Sequence, residues 1–226
     1  MEILFVFAMK SEFMHLLEKF PERTEEKIGE YTLYKTKYEK NIIYFLHSKI
    51  GSLNTSISLT KTLNKIKPDI IINAGTSGGH DKNLNVGDFI LAKDVINSNE
   101  IETNEKEKEK DFEGRIKIYN GDKDLIEKIK IIGISNKFKP IIEGRVSSGD
   151  IWNKEEDRIK LFNDKYSTLC EEMELYSVYK ICNQEKIPCI GIKIISNNAM
   201  NGQKYDITVT KTLDEFLYTI IQNISE

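Results

Sequence analysis

Short apolar runs separated by amphipathic stretches dominate this chain, and their alternation most restricts the fold it can adopt. The first run, Glu2–Ala8 (EILFVFA), is continuously apolar, and the residues after it place apolar side chains at helical spacing. Similar pairs of segments recur without an internal repeat or a Pro/Gly/Ser-rich linker. Strands that alternate with helices predict one α/β domain over residues 1–226, with a mostly parallel or mixed sheet.

Apolar periodicity and turn residues predict where the strands and helices lie. The predicted strands are Glu2–Ala8, Tyr31–Tyr38, Asn41–His47, Asp69–Ala74, Val86–Val95, Ile141–Ser147, Ser167–Glu171 and Cys189–Ser196. One predicted helix directly follows the first strand. The later predicted helices are Leu53–Lys67, Asp124–Ile132, Lys154–Asn163, Glu174–Lys186 and Val209–Ile224. Ligands of open α/β sheets bind at the carboxyl ends of strands, so we expect the reactive residues at those ends.

Composition restricts the partners and the compartment. The 226 residues carry a net charge of −3 with no basic stripe, which argues against a nucleic-acid partner. Lysines alternate with glutamates in Asn104–Arg115 (NEKEKEKDFEGR), a run typical of a solvated segment. No run approaches a membrane span or a secretory signal, so we expect a cytoplasmic protein without a membrane partner. The three cysteines lack metal-binding spacing, and we expect buried, reduced thiols.

Two strand ends in the first half of the chain carry candidate residues. Glu12 follows the first strand in FAMKSEF, where it is either a helix-start acid or a reactive carboxylate. Asn73–His80 (NAGTSGGH) follows a buried strand, and its glycines either form a tight turn or let the backbone approach a ligand. The spacing matches neither the dinucleotide nor the P-loop pattern. His80 is predicted to be a surface histidine.

Three strand ends in the second half complete the candidates. RVSSGDIWN contains Trp152, the only tryptophan, which either packs in the core or stacks on a planar ring. CEEMELYSV crowds Glu171, Glu172 and Glu174 at a strand-to-helix junction, so at least one should face a partner other than water. IISNNAM places Asn197 at the end of a buried strand.

In this order, FAMKSEF, SKIG, INAGTSGG with NVGD, SSGD with an aromatic, EMEL and IISN resemble one family. It is the 5′-methylthioadenosine/S-adenosylhomocysteine nucleosidase group of the purine nucleoside phosphorylase/nucleosidase superfamily, and the resemblance runs from Phe7 to about Phe216. It implies a single three-layer α/β domain with a central mixed sheet flanked by helices. It also implies a purine nucleoside as small-molecule partner, a homodimer, and no metal or cofactor.

The resemblance assigns roles to individual residues. Glu12 corresponds to the base that activates the hydrolytic water, and Glu174 to the carboxylate that holds the ribose hydroxyls. Trp152 corresponds to the aromatic wall against the purine, and Asn197 to the residue at the purine edge. The remaining substrate-binding positions implied by the resemblance are Thr76, Ser77, Gly78, Ile151, Met173 and Ser196.

Asn197 departs from the family pattern, which has an aspartate that protonates purine N7. An amide cannot supply that proton, but it can donate and accept hydrogen bonds at once. Asn197 would therefore suit N7 and O6 of a 6-oxopurine nucleoside such as futalosine or inosine. The alternatives left open are 5′-methylthioadenosine or S-adenosylhomocysteine cleavage, 6-oxopurine nucleoside cleavage, and a non-catalytic nucleoside-binding relative.

Two further features concern the substrate. Arginine is the natural bidentate ligand for phosphate, and none lies beside SKIG or the glycine-rich stretch, which favours hydrolysis over phosphorolysis. In the family, a segment corresponding to Asn97–Gly121 helps form the dimer and the pocket for the 5′-substituent. Here that segment is charged and has few aromatics, with Phe112 among them, which leaves the 5′-group open.

Overall fold

The computed structural model describes residues 1–101, 117–138 and 140–225. The strands are β1 (Glu2–Phe7), β2 (Thr24–Ile28), β3 (Tyr31–Tyr38), β4 (Asn41–His47), β5 (Ile70–Gly79), β6 (Phe89–Asn97), β7 (Tyr119–Asn120), β8 (Ile141–Ser148), β9 (Thr168–Glu172) and β10 (Cys189–Asn198). The α-helices are α1 (Met14–Glu18), α2 (Ser52–Leu63), α3 (Lys123–Ser135), α4 (Glu156–Tyr166), α5 (Leu175–Glu185) and α6 (Val209–Asn223). The charged run Asn104–Arg115, which contains Phe112, lies wholly outside the described residues.

The strands form one mixed sheet in the order β10-β6-β8-β9-β5-β1-β4-β3-β2, and β7 pairs with β6. Strand β10 also pairs in parallel with β5, so β5, β10, β6, β8 and β9 form a closed ring of strand pairings. Strand β1 lies outside that ring and runs parallel to both β4 and β5. The carboxyl ends of β1, β5 and β10 therefore meet at one edge of the sheet.

Helices cover both faces of the sheet because each face presents its own apolar side chains. On one face, α1, α3 and α6 pack in a core with residues such as Phe5, Ile72 and Phe216. On the other face, α2 and α5 pack in a second core with residues such as Leu4 and Ile71. Neighbouring residues of one strand thus face opposite cores, as the pleat requires. The predicted three-layer arrangement with a central mixed sheet is confirmed.

The glycine-rich stretch is part of a strand rather than a loop. Strand β5 continues to Gly79, since β10 pairs with it from Ile71 to Gly79 and β9 pairs with Gly78 and Gly79. The expectation of a surface His80 is wrong for the same reason. Its ring is buried, Nδ1 lies 2.7 Å from Thr168 Oγ1, and it stacks on Phe162.

Strand β2 escaped prediction because its sequence, TEEKI, is polar and charged. Among the described strands it pairs only with β3 and forms the edge of the sheet, and Ile28 is its one buried residue. Charged side chains are a common feature of edge strands, since they discourage pairing with another chain.

The three cysteines agree with the expectation of buried thiols. Cys170, Cys182 and Cys189 are buried and unpaired, and burial raises the pKa of Cys170 to about 12. Among the helices within residues 1–101, 117–138 and 140–225, none has the length and apolar content needed to cross a membrane.

Candidate active site

A cleft of about 520 Å³ opens at the sheet edge where β1, β5, β9 and β10 end. Six of the ten predicted site residues line it, and they come from different parts of the chain. They are Glu12, Thr76, Trp152, Met173, Glu174 and Asn197. The topology brings them together because the carboxyl ends of β1, β5 and β10 lie side by side.

Glu12 is buried in a short 3-10 segment, Lys10–Glu12, directly after β1. Its Oε2 accepts a hydrogen bond from Met9 N at 3.0 Å, and its Oε1 accepts two from Thr76, from N at 2.8 Å and Oγ1 at 3.1 Å. Burial raises the pKa of Glu12 against these donors, which lower it. A carboxylate with a raised pKa, facing a cleft, can take a proton from water.

Gly75 makes room for this carboxylate. A Cβ atom on Gly75 would lie 2.7 Å from Glu12 Oε1, closer than such atoms approach in folded proteins. The glycine is therefore required by the close approach of Glu12 to strand β5.

A buried ion pair lies behind the cleft. Lys193 Nζ donates hydrogen bonds to Glu172 Oε2 at 2.7 Å and to Asn73 Oδ1 at 2.6 Å. Burial lowers the pKa of Lys193, but the carboxylates of Glu172 and Glu174 outweigh it and hold the pKa above its usual range. Glu172 also accepts hydrogen bonds from Glu174 N and Leu175 N, so it anchors the start of α5.

Glu174 is buried at the wall of the cleft, and its Oε1 accepts a hydrogen bond from Gly51 N at 2.8 Å. Burial, followed by the negative charge of Glu172, raises the pKa of Glu174 to about 8. Each of the three crowded carboxylates thus has a partner other than water, because Glu171 accepts hydrogen bonds from Asn153. That sequence prediction is confirmed.

Asn197 reaches the cleft at an irregularity in β10. The register against β5 shifts between Ile195 and Asn197, so Ser196 is an extra residue and Asn197 lies opposite Gly78. Such bulges redirect side chains and are common beside active sites. The single proton of Ser196 Oγ can be donated either to Ser77 O at 3.1 Å or to Asn197 Oδ1 at 3.2 Å.

Trp152 lies beside Gly78, close to Asn197. Its Cζ2 and the amide atoms of Asn197 are all 3.6 Å from the position that a Cβ on Gly78 would occupy. The indole is 36% exposed, so the alternative that it packs in the core is wrong. Its neighbour Ile151 is 59% exposed and does not line the cleft.

Three other predicted residues do not line the cleft but lie beside it. Ser77 and Ser196 are fully buried and hydrogen-bonded, and Gly78 lies beside both Asn197 and Trp152. They support the side chains of the cleft, and their direct contact with substrate stays a prediction.

Sequence reasoning missed the segment between β10 and α6. Gln203, Lys204 and Tyr205 line the cleft from this segment. Partial burial and the negative charge of Glu12 raise the pKa of Tyr205, against a hydrogen bond with the Thr76 side chain that lowers it. The sequence signal that could have identified this segment is Tyr205, an aromatic residue in the loop that follows the end of β10.

Within the part of the chain that the structure describes, no three His, Cys, Asp or Glu side chains lie together as a metal-ion ligand set. A reaction without metal or cofactor stays a prediction.

These features define an α/β protein with a cleft lined by carboxylates, an indole and an amide at one edge of a mixed sheet. The chain belongs to the Phosphorylase superfamily, whose sequence profile matches residues 2–225. It is 28% identical over 216 residues to the 5′-methylthioadenosine/S-adenosylhomocysteine nucleosidase of Bacillus velezensis, covering 95% of this chain and 93% of that protein.

Solved structures show the same fold at low sequence identity. One is a Helicobacter pylori nucleosidase with an aspartate-to-asparagine mutation and 5′-methylthioadenosine in its active site; it has a TM-score of 0.86 at 20% identity, covering 98% of each chain. Another is the native futalosine hydrolase of Helicobacter pylori, with a TM-score of 0.85 at 19% identity, covering 98% of this chain and 97% of that one.

Proposed function

We propose that this protein is a purine nucleosidase that hydrolyses the N-glycosidic bond of a nucleoside of the 5′-methylthioadenosine/S-adenosylhomocysteine type. The products are the free purine and the ribose moiety. One observation carries the proposal: the buried Glu12 carboxylate, held by Met9 and Thr76, shares a cleft with Glu174 and Trp152. The curated relatives named as nucleosidases, matched over 95% of this chain, support the same activity.

In the proposed mechanism, Glu12 takes a proton from a water molecule as the water oxygen bonds to C1′. The bond from C1′ to the purine nitrogen breaks through an oxocarbenium-like state, and the purine leaves with the bonding electrons. The purine then takes a proton from solvent, because the amide of Asn197 has none to give. Glu174 accepts hydrogen bonds from the ribose hydroxyls, and Trp152 stacks on the purine.

A 6-oxopurine nucleoside such as futalosine or inosine is the second candidate, and the orientation of Asn197 favours it. Asn197 Oδ1 lies within hydrogen-bond distance of the Ser196 hydroxyl, whose single proton is shared between that oxygen and Ser77 O, and Asn197 Nδ2 has two protons to donate. A 6-oxopurine offers two acceptors at this edge, N7 and O6, whereas a 6-aminopurine offers one acceptor and one donor. The third candidate, a non-catalytic nucleoside-binding relative, would retain the cleft without turnover.

Hydrolysis is proposed over phosphorolysis because none of the described arginines, Arg23, Arg145 and Arg158, lines the cleft. Arg23 donates to backbone oxygens of Leu17 and Phe20, and Arg145 pairs with Asp94. Within the described residues, the cations that do line the cleft are Lys154 and Lys204, and a lysine lacks the planar, bidentate group with which arginine binds phosphate. Inorganic phosphate should therefore leave the rate unchanged, and the sugar product should be free of phosphate.

We further propose a homodimer, a cytoplasmic location and a single domain over residues 1–226. Exposed apolar side chains beside the cleft support self-association, since Leu53 and Ile57 of α2 and neighbouring Ile50 are open to solvent. One sheet that contains both β1 and β10 supports a single domain. Sedimentation velocity tests the dimer, and cell fractionation tests the location.

Base release from a nucleoside panel tests the activity and separates the candidates. Adenine from 5′-methylthioadenosine or S-adenosylhomocysteine would support the first, and hypoxanthine or its derivative from inosine or futalosine the second. Ligand-induced thermal stabilisation without release from any of them would support the non-catalytic alternative and overturn the proposal.

A further inference from the structure

The segment that carries Trp152 is fastened at both ends. Gly149 N donates a hydrogen bond to Glu172 O at 3.0 Å. At the other end, Glu171 accepts two hydrogen bonds from Asn153, with 2.9 Å from N to Oε1 and 2.5 Å from Nδ2 to Oε2. Trp152 lies directly before the residue that Glu171 holds.

Glu171 and Asn153 are each only 4% exposed, so this contact lies in the interior. A buried carboxylate is unfavourable unless hydrogen bonds and charges compensate for the lost water. Asn153 supplies two such hydrogen bonds, one to each oxygen of the Glu171 carboxylate. His80 lies nearby, with Nε2 at 3.4 Å from Glu171 Oε2 and Nδ1 at 2.7 Å from Thr168 Oγ1.

The indole itself has less support than the backbone beside it. Trp152 remains 36% exposed and faces the cleft near Gly78 and Asn197. Stacking on a purine requires the ring to be held in the correct plane, and a ring on a loose loop would lose part of that contact on ordering. The backbone that orients the ring is fixed at Asn153.

We infer that Glu171 is a positioning residue for purine binding, which holds Trp152 in its stacking orientation through the two hydrogen bonds to Asn153. This inference rests on the proposed function, since it assumes that Trp152 stacks on the base. Glu171 contacts neither the cleft nor the reacting atoms, so its effect should fall on binding rather than on bond cleavage.

Two substitutions distinguish positioning from simple structural support. Glu171→Leu removes both acceptors. Glu171→Gln keeps one acceptor for Asn153 N, and its amide can donate to Asn153 Oδ1, which accepts no hydrogen bond within the described residues. Glu156→Leu, an exposed glutamate on α4, is the matched control, and Trp152→Phe assigns the fluorescence signal.

The experiment measures steady-state kinetics on the best nucleoside of the panel, melting temperature and tryptophan fluorescence. Because the chain has a single tryptophan, selectively excited emission reports Trp152 alone. We expect Glu171→Leu to raise KM about tenfold with kcat within about threefold, and Glu171→Gln to restore KM to within about twofold. Quenching of the emission by adenine or hypoxanthine should weaken in Glu171→Leu and return in Glu171→Gln.

Acrylamide quenching without any ligand keeps this inference separate from the proposed function. If no nucleoside is cleaved, greater acrylamide quenching in Glu171→Leu would still support the positioning of Trp152. Unchanged KM and unchanged quenching in Glu171→Leu would overturn the inference. A lower kcat, a higher KM and a lower melting temperature, changed equally in both Glu171 variants, would also overturn it. That result would indicate a merely structural role.

Discussion

Thr76 donates two hydrogen bonds to the same oxygen of Glu12, one from its backbone N at 2.8 Å and one from its hydroxyl at 3.1 Å. Met9 N occupies the other oxygen at 3.0 Å, so the carboxylate is fixed in one orientation. A base that is already oriented loses little freedom when it takes a proton from water. The proposed proton transfer from water therefore depends on the Glu12 side chain.

Glu12→Gln should lower kcat on the order of 10²–10⁴-fold, because the amide can still accept from Thr76 but cannot take up a proton. Binding of the free purine should persist, as measured by calorimetric titration. Glu18→Gln, an exposed position on α1, is the control and should leave turnover unchanged. Undiminished turnover in Glu12→Gln would remove Glu12 from the mechanism.

Gly75→Ala should also impair turnover, by roughly 10²-fold in kcat, because its methyl group would displace the Glu12 carboxylate 2.7 Å away. The melting temperature shows whether the fold persists. In a Glu12→Gln background the same alanine should add little, since the two changes act on one group. Additive losses in the double variant would show that Gly75 acts through something other than Glu12.

Asn197→Asp should move preference toward 6-aminopurine nucleosides, because a carboxyl can protonate N7 and accept from the 6-amino group. The measurement is the ratio of kcat/KM for 5′-methylthioadenosine to that for inosine, which should rise at least about tenfold. Asn197→Ala is the control for loss of contact without a new acid. A ratio unchanged from wild type would refute the role of Asn197 at the purine edge.

The pH dependence of kcat/KM should report the buried carboxylates. Burial, then the charge of Glu172, raises the pKa of Glu174 to about 8, and burial raises the pKa of Glu12. Both groups act in the ionised form, so kcat/KM should fall as the pH drops below about 8. Glu174→Gln should lower the plateau and remove the limb near pH 8. A wild-type profile that is flat between pH about 6 and 9 would contradict this assignment.

Asp214 should make stability depend on pH. Burial raises its pKa to about 7, against the backbone N–H groups of Leu16 and His15, which lower it. The folded state therefore binds a proton that the unfolded state has released between pH about 4 and 7, and the free energy of unfolding falls as pH rises through that range. Asp214→Asn should raise Tm at pH about 8 on the order of 5 °C.

At pH about 4 the difference in Tm between Asp214→Asn and wild type should disappear, since both carry a neutral side chain. Differential scanning calorimetry at both pH values measures the change. Glu215→Gln, the exposed neighbour on α6, is the matched control. An equal change in Tm at both pH values would mean that packing rather than ionisation explains the effect.

Local sequence patterns predicted the strands whose ends form the cleft, and hence the positions of Glu12, Thr76, Glu174 and Asn197. Each follows or ends a strand with a clear apolar run, and parallel strands bring such ends together. The grouping of these four residues could therefore be predicted. The roles assigned to them came from the family resemblance and remain predictions.

Long-range contacts decided what local patterns could not. Tyr205 reaches the cleft because Asp206 N donates to Ser196 O at 2.7 Å, and because Asn198 and Gln203 form an isolated bridge. No periodicity in the intervening segment signals these contacts. His80 is buried because β5 extends past its glycines and its imidazole finds Thr168, far along the chain.

The closed ring of strands excludes β1, so one side of the cleft is formed by residues that follow β1 and the other by residues of the ring strands. Glu12 belongs to the outer part, whereas Asn197 and the carboxylates after β9 belong to the ring. Under the proposed function, substitutions at Asn197 would change the preferred nucleobase without touching Glu12, the proposed base. For inhibitor design, discrimination between relatives should come from groups that face Asn197, and broad potency from groups that engage Glu12.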